Sequence, residues 1–223
     1  MGLTIHYSLR SRARTIREVR RQMRALRKVA CDLPLERVGP LLEFPGAPGS
    51  QALDVTFRGT TIRGYDFDPR AAIGFTVWPG PGCETAEFAL AVLPKTVRVP
   101  GGKRVATRPA GWRSHEFCKT QYASAPQLGG IDNFLRCHLS LIRLLDCARA
   151  LGISARVDDE GNYWTLRDRS ALIRELEEYN QLIAGFGGVL KDSVGSGVTG
   201  GSSVTGPIFQ YSNFEHLEAD ASR

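Results

Sequence analysis

No apolar run in the 223 residues approaches the roughly 18 to 20 that a membrane-spanning helix needs, which excludes a helical membrane span. The residues from Met1 to Tyr7 pass straight into a basic stretch, without the charged-then-apolar order and small-residue cleavage site of a secretory signal. Export is therefore not expected. Cysteine is sparse and odd in number: Cys31, Cys83, Cys118, Cys137 and Cys147 contain no C-x-x-C pair. That excludes a dense disulfide framework and points to reduced thiols in a cytoplasmic protein. Cys137 and Cys147 share one predicted helix at a separation of about 15 Å along its axis, too far to bridge. Helix-turn-helix spacing, zinc-finger ligands, aromatic RNP motifs, a P-loop, the dinucleotide glycine pattern and internal repeats are all missing.

Positive charge is present and concentrated. Between Arg10 and Lys28 stand nine basic residues (Arg10, Arg12, Arg14, Arg17, Arg20, Arg21, Arg24, Arg27, Lys28) and one acid, Glu18, a sum of +8. The whole chain carries +6, so the other 204 residues sum to −2. A near-neutral body thus carries one cationic segment.

Leu3, Ile5, Tyr7 and Leu9 alternate and predict a half-buried strand. From Thr15 the period changes: Ile16, Val19, Met23, Leu26 and Ala30 recur at helical spacing, with arginines on the remaining faces. Pro34 closes that helix, and Val38 to Phe44 reads as a second strand. Pro45 to Ser50 is a loop by composition; short strands are expected at Leu53–Phe57, Ile73–Trp78, Phe88–Leu93, Thr96–Val99 and Arg104–Thr107, the last two joined by the turn Pro100-Gly101-Gly102. Two prolines make Trp78 to Cys83 a turn.

Pro109 to Gly130 has no periodic pattern and reads as a long connection. Ile131 to Leu151 predicts a largely buried helix ended by Gly152. Ser154–Val157 and Tyr163–Leu166 read as a hairpin around an acidic, solvated tip, Asp158 to Glu160. Asp168 caps a third helix with Leu172, Leu176, Tyr179, Ile183 and Phe186 on its buried stripe and Gly187-Gly188 as its stop. The expected organisation is a single α+β domain over 1–191, a Gly/Ser-rich linker over 192–206, and a C-terminal aromatic segment over 207–223 that docks on the body or on a protein partner. The sheet is antiparallel or mixed and packed by three main helices, and the β-α-β opening leaves room for a ferredoxin-like core.

Phe117-Cys118-Lys119-Thr120-Gln121-Tyr122-Ala123-Ser124, with Gly129-Gly130, Asn133 to Leu139 and Asn213 to Leu217, resembles a set of bacterial hypothetical proteins with no assigned activity. The resemblance spans nearly the whole chain. It implies an intact domain and no particular chemistry.

Two candidate sites follow from residue chemistry. In the first, Arg17, Arg20, Arg21 and Arg24 on the amphipathic helix neutralise phosphates of a nucleic acid or another polyanion; the alternatives are an ordinary solvated helix face and a membrane surface. In the second, Cys118 is a nucleophile held as thiolate by His115 or Lys119, in an enzyme or small-molecule site. Gly129, Gly130 and Asn133 at the following helix start, with Lys119, could add anion contacts. His115-x-x-Cys118 is the single chelating spacing, with Cys83 and either Cys137 or His138 as further donors; it falls short of a metal assignment, and no cofactor is expected. His138 reads as a hydrogen-bonded core histidine.

Overall fold

The computed structural model of the chain describes residues 3–44, 70–92, 96–98, 103–106 and 111–195. Strand β1 (Thr4–Ser11) buries Ile5, Tyr7 and Leu9 and turns His6, Ser8 and Arg10 to the other side, as a two-residue period requires. Helix α1 (Ile16–Cys31) begins at a capping box. The Thr15 hydroxyl accepts from the Glu18 amide, and the Glu18 carboxylate accepts from the amides of Arg14 and Thr15. Val19, Met23, Leu26 and Ala30 are fully buried. Ile16, at the first helical position, is 38% exposed and does not share the stripe.

The single strand expected over Val38–Phe44 is two: β2 (Arg37–Val38) and β3 (Leu42–Phe44). Pro40 between them has no N–H to give a ladder, and both strands pair with β4 (Ala71–Trp78). Next to β4 runs β5 (Ala86–Val92), with Phe75 opposite Phe88 and their rings stacked at 5.9 Å. A separate ribbon joins β6 (Thr96–Arg98) and β7 (Arg104–Ala106). The Pro45–Ser50 loop, the Leu53–Phe57 strand and the Pro100-Gly101-Gly102 turn lie outside the described residues.

The largest departure from the sequence expectation falls in the Pro109–Gly130 connection. Its first half is a central strand, β8 (Trp112–Lys119), paired with β1 from Thr4↔Lys119 to Ser11↔Trp112 and touching β5 at Ala91↔Arg113. Two short 3₁₀ turns, Gln121–Ser124 and Pro126–Leu128, then lead into α2 (Gly130–Ala150). Strand β9 (Ile153–Asp159) returns along β1, from Ile5↔Asp159 to Ser11↔Ile153.

The predicted hairpin after β9 is not formed, because Tyr163–Leu166 is a helical turn, α3. The left-handed Asn162 and Arg167 (φ 56° and 54°) bound it, and the Asp159 carboxylate accepts from the Gly161 and Trp164 amides. Asp168 accepts from the Ser170 amide as the next helix begins. That helix, α4 (Arg169–Gly195), buries Leu172 and Leu176. It runs through Gly187-Gly188, past the expected stop and into the first residues of the expected linker. A helical glycine costs only about 1 kcal/mol, which is not enough to end a helix by itself. The remainder of the linker and the segment 207–223 lie outside the described residues.

The fold is α+β with an antiparallel seven-stranded sheet, ordered β2-β4-β5-β8-β1-β9, with β3 also on β4. One core joins α1 and α2 to a single sheet face through Ile5, Tyr7, Leu9, Met23, Phe75, Phe88, Leu141 and Leu145. The β-α-β opening is present only as connectivity. β1 sits between β8 and β9, antiparallel to both, while β2 lies across the sheet, so the ferredoxin-like arrangement is not the one taken.

Candidate polyanion surface on the first helix

Burying one stripe of α1 fixes where its arginines go. Val19, Met23, Leu26 and Ala30 face the sheet, so Arg17, Arg21, Arg24 and Lys28, offset from them and spaced by four, three and four, form an exposed row. The row is about 16 Å long at 1.5 Å per residue. Arg12 and Arg14, also exposed, extend the charge beyond the helix start.

Among the described residues none of Arg17, Arg21, Arg24 and Lys28 forms an ion pair. Arg20 differs. Its Nε and Nη2 donate to both oxygens of Glu43, at 2.6 and 2.7 Å, so β3 holds this guanidinium and it does not belong to the free set. The pairing raises the Arg20 pKa and lowers that of Glu43. Arg27 donates from Nε to the Gly39 carbonyl and tethers the helix to the break between β2 and β3. The one acid of the segment, Glu18, has its carboxylate engaged by backbone amides, which lower its pKa. Two hollows share Arg21 and Glu18. One, of about 480 Å³, is lined by Arg12, Ala13, Arg14, Gln22, Ala25 and Leu151 as well; the other, of about 470 Å³, by Arg17, Arg20 and Arg24.

The thiol site does not assemble. Cys118 and His115 are three residues apart on β8, and a strand sends such side chains to opposite faces. Cys118 is fully buried, its Sγ donating to the Glu84 carbonyl at 3.2 Å, and burial, with Glu84 and Cys137 nearby, pushes the thiol well above its ordinary pKa. His115 is exposed, with Nδ1 2.8 Å from the Ser8 hydroxyl. Lys119 packs its ammonium over the Tyr122 ring at 4.7 Å. Adjacent strand residues also point to opposite faces, so Lys119 and Cys118 diverge in the same way.

The helix-start site is equally committed elsewhere. The Gly129 and Gly130 amides donate to the carbonyls of Pro126 and Ala125. Asn133 donates to the carbonyls of Pro81 and Ala123 and accepts from Arg136, while Arg136 also donates to Pro79 and Pro34. These side chains clamp the Trp78–Cys83 turn onto α2. Within the clamp, Cys137 Sγ donates to Asn133 Oδ1 at 3.7 Å, and the neighbouring Cys137 together with burial pushes the Cys83 thiol above its ordinary pKa.

Comparison with protein-family models, curated proteins and solved structures finds no match.

One polar cluster was beyond sequence reasoning. His138 is the core histidine expected, but its partners come from distant elements: Nδ1 is 3.0 Å from the Thr120 hydroxyl, and Nε2 is 3.2 Å from Asp159. All three residues are buried, so this hydroxyl–imidazole–carboxylate chain is a strut between α2, β8 and β9 rather than a surface that could meet substrate. Among the described residues no group of three or more His, Cys, Asp or Glu is placed to hold a metal ion, and no helix is long and apolar enough to cross a membrane.

Proposed function

We propose that the protein binds nucleic acid through the cationic row of α1. The observation that carries the reading is the exposure of Arg17, Arg21, Arg24 and Lys28 in one line, none of them held in an ion pair among the described residues. Such a row gains affinity by releasing counterions from a phosphate backbone. A membrane surface is a poorer partner, since Met23 and Leu26, the side chains that would enter lipid, are completely buried. The cytoplasmic location suggested by the unpaired thiols suits a nucleic-acid partner.

Titrating the full chain with labelled nucleic acid across a salt series tests the reading. Affinity should fall steeply between about 50 and 200 mM salt, and the variant with Arg17, Arg21 and Arg24 changed to Gln should lose most of it. No binding at about 50 mM salt, or binding indifferent to that variant, would overturn it.

A further inference from the structure

The hollow beside the start of α1 is not uniformly cationic. Arg12, Arg14 and Arg21 surround it together with Glu18, leaving a surplus of positive charge, but Ala13, Ala25 and Leu151 supply an apolar wall. Gln22 fixes that wall. Its amide donates to the Leu151 carbonyl and its oxygen accepts from the Ser11 hydroxyl, so the turn after α2 is tied to both α1 and β1. At about 480 Å³ the space falls within the range of small-ligand sites, about 300 to 1,000 Å³.

Phosphate has no use for an apolar wall. A duplex approaching the row presents phosphates and the edges of its bases, the flat faces being stacked inside, and leaves the wall of the hollow empty. A single strand can turn a base out, and a base offers a flat apolar face that packs against aliphatic groups or a guanidinium plane. Ala13, Ala25 and Leu151 are each half-buried, so the wall is open to such a ring. We propose that this hollow receives one unstacked base while the arginines around it hold the flanking phosphates, so that the protein prefers single-stranded over duplex nucleic acid. The inference rests on the nucleic-acid reading of α1 and adds the strand state to it.

The test compares three labelled probes of about twelve nucleotides with the full chain: a single strand, the same sequence as duplex, and an abasic strand with the same phosphates. The single strand should bind about tenfold more tightly than the abasic strand, the difference being the contribution of a base contact. Ala25→Leu, which places a neutral, helix-compatible side chain in the hollow, should abolish the preference for the single strand over the abasic strand. Equal binding of single and abasic strands, with both lost on mutating Arg17, Arg21 and Arg24, overturns the base site while the cationic row stands. A single-strand preference that survives Ala25→Leu overturns the location. Failure of all three probes overturns both proposals.

Discussion

The Nε2 atom of His138 lies 3.2 Å from Oδ1 of Asp159, and neither side chain is accessible to solvent. It is a close polar approach rather than an aligned hydrogen bond. Burial alone would raise the Asp159 pKa, but His138 and the amides of Trp164 and Gly161 outweigh it and hold the carboxyl below its ordinary value. A depressed folded-state pKa means stability present above the unfolded value, about 3.9, and lost as pH falls through the folded one. Asp159→Asn should therefore cost about 3 kcal/mol at neutral pH. Denaturant titrations at descending pH should show that difference narrowing below about pH 4, and a constant difference would contradict the assignment.

Cys118 is inaccessible and its thiolate is disfavoured, whereas Cys31 is exposed. Alkylation of the native protein at neutral pH should label Cys31 readily and leave Cys118 unmodified until the chain unfolds. Peptide mapping after timed labelling reads this directly. Rapid modification of Cys118 in the folded protein would restore the nucleophile reading that the strand geometry removes.

What the sequence revealed and what it hid divide along the two periodicities. α1 and α2 were legible because their buried residues recur at helical spacing, and β1 because Leu3 to Leu9 alternates. β8 was hidden because its core side reads Trp112, Ser114, Glu116, Cys118 and its outer side Arg113, His115, Phe117, Lys119, so neither side is consistently apolar. That concealment made a nucleophile out of Cys118 and a base out of His115, since residues thought to share a loop are free to meet and residues three apart on a strand are not. Arg17, Arg21 and Arg24 were identifiable from the face opposite Val19 and Met23. Arg20 was misplaced among them, because its partner Glu43 is twenty-three residues away and only the pairing of β3 with β4 brings it under the helix.

Gly82 adopts a left-handed backbone at φ 81°, and a Cβ there would clash with the Tyr122 carbonyl. The adjacent Pro81 carbonyl is bound by Asn133, so the turn cannot back away without breaking that bond. Gly82→Ala should destabilise the protein by about 2 kcal/mol or more, from backbone strain and the clash together. Thermal and denaturant unfolding should show the loss, while binding to nucleic acid by the folded fraction stays unchanged, because the turn does not contribute to the row on α1. An Ala variant as stable as the parent would mean that the turn is not clamped.

The contrast between Arg20 and Arg21 separates a structural cation from a binding one within a single helical turn. Arg20 is engaged by both oxygens of Glu43, whereas Arg21 stands exposed between the two hollows. A side chain that neutralises one phosphate contributes about one unit to the slope of log affinity against log salt concentration. Arg21→Gln should lower that slope by about one and weaken binding to all sequences alike. Arg20→Gln should leave the slope unchanged, because its guanidinium already has a carboxylate and releases no counterion on binding. Salt titrations of the two single variants beside the parent decide the matter; equal slopes for the two would mean that the Glu43 pair opens on binding and that Arg20 joins the row.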